Sequence, residues 1–95
     1  MKYVYINQSA AYINRYYKGV TSDVGKRLLA HNAGRVPSTR RWKPWKNVFY
    51  AAFTDEKVAC AFEKYLKTAS GIAFMRKRLL GYDQREKSCE KLGRV

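Results

Sequence analysis

Acidic residues are scarce in this chain. Only 7 Asp and Glu stand against 20 Lys and Arg in 95 residues, a formal charge of +13. The imbalance is concentrated in residues 1–80, which carry four acids (Asp23, Asp55, Glu56 and Glu63) and a net charge of +12. Charge this one-sided destabilises a small domain by self-repulsion, so a polyanion is the expected partner, and nucleic acid is the commonest. No apolar run is long enough to span a bilayer, so no membrane partner is expected. The first residues, MKYVYINQ, alternate and lack the continuous apolar region of a secretory signal. There is one histidine, His31, and the two cysteines, Cys60 and Cys89, show no metal-type spacing. A structural zinc site is thereby excluded, and reduced thiols in a cytoplasmic protein are expected.

What is present is enough for one domain with a modest core, at a hydrophobic fraction of 46%. Residues 2–7 alternate, with Tyr3, Tyr5 and Asn7 on one side and Val4 and Ile6 on the other, which reads as a half-buried strand. A second strand spans 15–21, and the short connection favours an antiparallel hairpin. Its Gly19 marks a bulge or a close approach. A helix starts at Ser22 or Asp23, both good N-caps, and ends before Gly34. Val24 and Leu28 form its core stripe, with Leu29 beside it; Gly25 weakens its first turn.

Residues 34–47 read as a loop from their Gly and Pro content. The cations Arg35, Arg40, Arg41, Lys43 and Lys46 and the hydroxyls of Ser38 and Thr39 suit phosphates there, and Trp42 suits stacking on bases. Trp45, beside Pro44, is expected to pack on the core. A third strand covers 47–53. A second helix follows over 55–69, with a buried stripe of Val58, Phe62, Tyr65, Leu66 and Ala69 and with Glu63 at its edge. Ser70 and Gly71 break it, and a third helix runs from 72 to 80. Residues 81–95 read as a polar tail.

The centre of this organisation is residues 16–32, YYKGVTSDVGKRLLAHN. A strand rich in tyrosine runs into a helix that carries Arg27 and His31 four residues apart, on one side. Taken singly, each candidate has a bland explanation. Glu63 would pair with Lys67 at i+4, and His31 near a helix end would interact with the dipole.

As an ordered set, these residues resemble the GIY-YIG nuclease superfamily. YVY at 3–5 corresponds to the first motif and YKG at 17–19 to the second. Arg27, the RLxxHN form ending at Asn32, the Ser38, Thr39, Pro44 and Trp45 stretch, Glu63 in AFEKYLK and the SGxAF phrase follow in the same order. The resemblance is to compact single-domain bacterial members and spans residues 3 to about 80. It implies an α/β (α+β) fold: a small three-stranded antiparallel central sheet flanked by three helices, in the order β-β-α-β-α-α. A nuclease-like domain would then occupy 1–80 and the tail 81–95.

The resemblance also implies hydrolysis of DNA phosphodiester bonds with one Mg²⁺ or Mn²⁺ held by Glu63. Arg27 would contact the scissile phosphate region, and Tyr5, Tyr17 and His31 would complete the catalytic set. A guanidinium suits the charge that builds on non-bridging oxygens, and a hard cation suits the leaving oxygen. A water must also lose a proton. Tyrosine is a poor base at its ordinary pKa near 10, whereas histidine titrates near neutrality. The choice among Tyr17, Tyr5 and His31 is open at this level. The chain departs from the family pattern at Tyr3, Val4 and Lys18; the last puts a cation on the strand face opposite Tyr17, which means either that this face is partly exposed or that Lys18 contacts nucleic acid. RNA is the lesser substrate expectation, and a monomer or weak homodimer the expected assembly. The alternative is a module of the same fold that binds nucleic acid without cutting it.

Overall fold

The computed structural model describes residues 1–81, so all but the first residue of the expected tail lies outside the described residues. Three strands, β1 (Lys2–Ser9), β2 (Tyr16–Thr21) and β3 (Trp45–Phe53), form one antiparallel sheet in the order β2-β1-β3. The helices are α1 (Val24–Asn32), α2 (Glu56–Tyr65) and α3 (Ala69–Phe74). The last continues into a π-type turn over Met75–Leu79. The element order is the expected one.

Register sorts the side chains. Tyr3 pairs with Thr21, Tyr5 with Gly19 and Asn7 with Tyr17, so Tyr3, Tyr5 and Tyr17 share one face. Val4, Ile6 and Val20 share the other, where they pack with Ala59, Phe62, Leu66 and Met75 to form the core. β1 is not half-buried: Val4 to Asn7 are all buried. As the central strand it is covered on both faces, by α2 and α3 beneath and by α1 and residues 33–44 above. A bulge at Ile6/Asn7 lets β3 accommodate an extra residue. Asn47 bridges it by donating from Nδ2 to Asn7 Oδ1 at 3.1 Å.

Three helical expectations are corrected. In α1 the buried inward position belongs to His31, and Leu29 is 71% exposed, because it is rotated about 100° from Leu28. The inward stripe of α2 is Ala59, Phe62, Glu63 and Leu66, while Val58 and Tyr65 are exposed and Ala69 belongs to α3. This phase turns Glu63 into the inward face instead of leaving it at the edge. Ser70 and Gly71 do not break a helix; they lie inside α3. The break falls at residues 66–68, where the Thr68 hydroxyl accepts from Gly71 N–H at 3.0 Å and caps α3. Gly71 is required for close passage, since a Cβ there would lie 1.8 Å from the Tyr65 carbonyl oxygen.

Candidate active site

Asp23 caps α1 by accepting from Lys26 N–H at 2.9 Å. That helix carries Arg27 and, one turn on, His31 over the tyrosine face. The Arg27 Nε–H donates to the Tyr5 hydroxyl at 3.3 Å. The Tyr5 hydroxyl lies 3.0 Å from His31 Nε2, and His31 Nδ1 lies 2.7 Å from Thr39 Oγ1. The Thr39 hydroxyl in turn donates to the Val36 carbonyl at 3.3 Å.

The bond from the Thr39 hydroxyl to the Val36 carbonyl selects one arrangement of protons. Thr39, donating to a carbonyl, accepts from His31 Nδ1–H. Nε2 therefore carries the lone pair and accepts from the Tyr5 O–H, whose oxygen accepts from Arg27. His31 is fully buried, and burial followed by the nearby Arg27 charge pushes its pKa below the ordinary value. It is neutral, with both nitrogens engaged. Burial pushes Tyr5 upward, against the hydrogen bond from Arg27, so its proton stays in place.

Gly19 makes room for this arrangement. The Tyr5 ring lies across it, and a Cβ at Gly19 would sit 2.6 Å from the hydroxyl oxygen. Tyr17 is half-buried, its ring 4.9 Å from that of His31 and 6.2 Å from that of Tyr5. Tyr5 first, and Tyr17 after it, raise the pKa of the Arg27 guanidinium. Four of the five expected catalytic residues thus stand together.

The fifth, Glu63, comes from α2, the helix that packs on the core face of the sheet. Its side chain is 14% exposed and pairs with Lys67, so the i+4 ion pair forms. Its negative charge also acts on Tyr5 and on Lys18, which places it beside the cluster without a hydrogen bond to it. Among the described residues no three His, Cys, Asp or Glu converge to hold a metal. A lone carboxylate oxygen donor fits a hard cation that keeps most of its shell as water and substrate oxygens. It does not fit zinc.

The residues expected at nucleic acid divide. Arg35, Ser38, Arg40, Arg41, Lys43 and Lys46 are exposed. Thr39 is buried and its hydroxyl is engaged by His31, so it faces inward and not toward phosphate. Lys18 is half-buried on the core side of β2. Trp42 is half-buried and carries the Arg15 guanidinium 3.8 Å from its ring centre. Trp45 is buried, as expected, but as the first residue of β3; its indole N–H donates to the Thr39 carbonyl at 2.9 Å.

Thr39, Asn32 and Arg15 have roles that the sequence reading missed. Asn32 donates from Nδ2 to the Trp45 carbonyl at 2.9 Å and accepts from its N–H, fixing the end of α1 to the start of β3. The HN pair and the Ser-Thr stretch were visible, but nothing local says that they face each other.

The model of the GIY-YIG catalytic domain matches residues 1–78. The chain belongs to the GIY-YIG family. A GIY-YIG domain is a nuclease domain, so the general kind of chemistry is hydrolysis of nucleic acid. No curated protein and no solved structure matches the chain. Among the described residues of this GIY-YIG domain, no helix is long and apolar enough to cross a membrane.

Proposed function

We propose that this GIY-YIG protein is a divalent-metal-dependent endonuclease that nicks DNA by a one-metal mechanism. The observation that supports it most is the locked set Arg27–Tyr5–His31–Thr39 beside Tyr17. A binding surface needs exposed cations; it does not need a buried histidine held in one tautomer under an arginine.

Tyr17 is the general base in this reading. His31 has no free lone pair and Tyr5 no free proton acceptor, whereas Tyr17 is half-buried and faces Arg27. Arg27 holds Tyr5 through Nε, and its remaining N–H groups address the phosphate oxygens as charge builds on them. Tyr5, His31 and Thr39 are positioning residues that fix the guanidinium. Glu63 would hold one Mg²⁺ or Mn²⁺, whose positive charge, when bound, stabilises the leaving 3′ oxygen. The exposed cations over 35–46 bind the backbone without reading sequence. A monomer suffices for nicking, and cutting both strands would take a weak homodimer or sequential nicks. A cytoplasmic protein acting on DNA in preference to RNA completes the proposal.

The test is nicking of single-stranded, duplex and branched DNA, with RNA alongside, in Mg²⁺, Mn²⁺ or chelator. Wild type should cut only with metal. Tyr17→Phe should lose roughly 10²-fold or more in rate, the range for a general base, at unchanged affinity. A Tyr17→Phe protein as fast as wild type would place the base elsewhere. Tight binding by wild type without cleavage in any metal would favour the non-catalytic module.

A further inference from the structure

An open cavity of about 550 Å³ lies at the hairpin end of the sheet, outside the tyrosine cluster. Its size is that of a small-ligand site. Arg15, Lys18 and Arg76 line it, and no acid does so among the described residues. Between these cations are flat or apolar surfaces, chiefly Tyr16, Trp42 and Ile72. Positive charge interleaved with ring faces suits a nucleotide, which presents a phosphate and a π-face together.

The walls are preformed. The Arg15 guanidinium rests on the Trp42 indole, and the Tyr12 ring meets the same indole edge-on at 5.0 Å. Stacking holds the guanidinium as a plane, with its N–H edge available to a phosphate or its face to a base. Residues 10–15 are tied down on several sides. Ser9 Oγ accepts from Tyr12 N–H at 3.0 Å and donates to the Trp42 carbonyl at 2.6 Å. Gln8 Nε2 donates to the Ile13 carbonyl at 2.7 Å. Yet Tyr12 and Ile13 remain 53% and 64% exposed at the rim. Two large apolar side chains held rigidly in water beside a cationic cavity are placed for a ligand and contribute little to the fold.

The inner end of the cavity is Lys18, which sits on β2 between Tyr17 and Gly19. Burial lowers its pKa, and the neighbouring charges of Lys67 and Arg76 add to this while Glu63 opposes it. An anion lying there would relieve that crowding. Lys18 and Tyr17 are neighbours on β2 but point to opposite faces of it, so the Lys18 end of the cavity and the tyrosine cluster lie on the two sides of that strand. We propose that this cavity is a nucleotide subsite that holds one unpaired, unstacked nucleotide of the bound strand at the hairpin end of the sheet. That the strand is a substrate rests on the nuclease reading; the binding does not.

The experiment measures binding by fluorescence anisotropy to the protein in chelator, without divalent metal. The probes are a blunt DNA hairpin, the same hairpin with a short unpaired tail, and a tailed hairpin with an abasic residue at the junction. The tail should tighten binding by about tenfold, the size of one base stacked on protein. The abasic probe, which keeps its phosphate, should lose most of that gain. Tyr12→Ala and Arg15→Lys should lose it as well; both positions are exposed, and the second retains the charge. Equal affinity for blunt and tailed hairpins would overturn the subsite. So would a gain that survives the abasic residue and both substitutions. Wild-type protein that shows the gain but never nicks would sink the nuclease reading and leave the subsite standing. Nicking without any gain would do the reverse.

Discussion

The Tyr5 hydroxyl stands 3.0 Å from His31 Nε2, with both side chains removed from water. This one contact joins the central strand to α1 and decides the protonation of both partners. It also separates positioning from chemistry. His31, a candidate base in sequence, is buried between a tyrosine and a threonine with its pKa lowered by that burial.

A pH dependence of stability follows. The folded pKa of His31 is lowered, so the unfolded chain takes up a proton near pH 6.5 that the folded one refuses. The contribution is fully present above that pH and is lost as pH falls below it, by up to about 1.4 kcal/mol per pH unit. The groups facing His31 are Arg27, Tyr5, Tyr17, Thr39 and Trp45, with no carboxylate among them. Urea melts of wild type should weaken over this range, and those of His31→Gln should stay flatter. Equal slopes for the two would refute a neutral buried His31. As His31 is the only histidine, its imidazole NMR signals report the same titration directly.

Thr39→Val keeps the shape of the side chain but leaves His31 Nδ1–H without its acceptor. The cost should be about 1–3 kcal/mol, that of an unsatisfied buried donor. Nicking should slow because the Tyr5–Arg27 geometry loosens, while DNA affinity should hold. A Thr39→Val protein with wild-type stability and weakened DNA binding would instead make Thr39 a phosphate contact.

Gly19→Ala should destabilise by about 1–3 kcal/mol, as overpacking does, because the new methyl meets the Tyr5 ring and hydroxyl. Moving that ring breaks its bond to His31, so the His31 NMR signals should shift. Unchanged signals would mean the ring does not rest on Gly19.

Gly25→Ala should do the opposite. A Cβ there meets only Asp23 Oδ1, at 3.6 Å, an ordinary contact. The gain is about 0.5–1 kcal/mol from helix propensity and a less free unfolded chain, measured as a rise in melting temperature. A loss of stability would show a constraint on the first turn of α1 beyond propensity.

The strands and their order were legible because alternation and the short hairpin are local signals. Helical spacing joins Arg27 to His31 in the sequence, while the grouping of these two with Tyr5 and Tyr17 came from the family resemblance and not from any local signal. The phase of α2 was not legible. Val58 and Tyr65 look like core residues, and only packing against β1 and β2 shows that Ala59 and Glu63 face inward instead. Gly71 misled for a related reason: a glycine that reads as a breaker is needed where α3 crosses the Tyr65 carbonyl. Thr39 was misplaced because its partner, His31, lies across a loop whose path no local rule predicts. The Arg15–Trp42 stack is likewise a meeting of two loops.

The central claim is that Glu63 serves a metal ion in cutting DNA, and the direct measurement is the single-turnover nicking rate of Glu63→Gln relative to wild type at saturating Mg²⁺ or Mn²⁺. Gln keeps the size of the side chain but removes the charge that pairs with Lys67 and would hold a hard cation. The rate should fall at least about 100-fold, as loss of a several-kcal/mol charge stabilisation requires, with DNA binding retained. Equal rates for the two proteins would contradict the account.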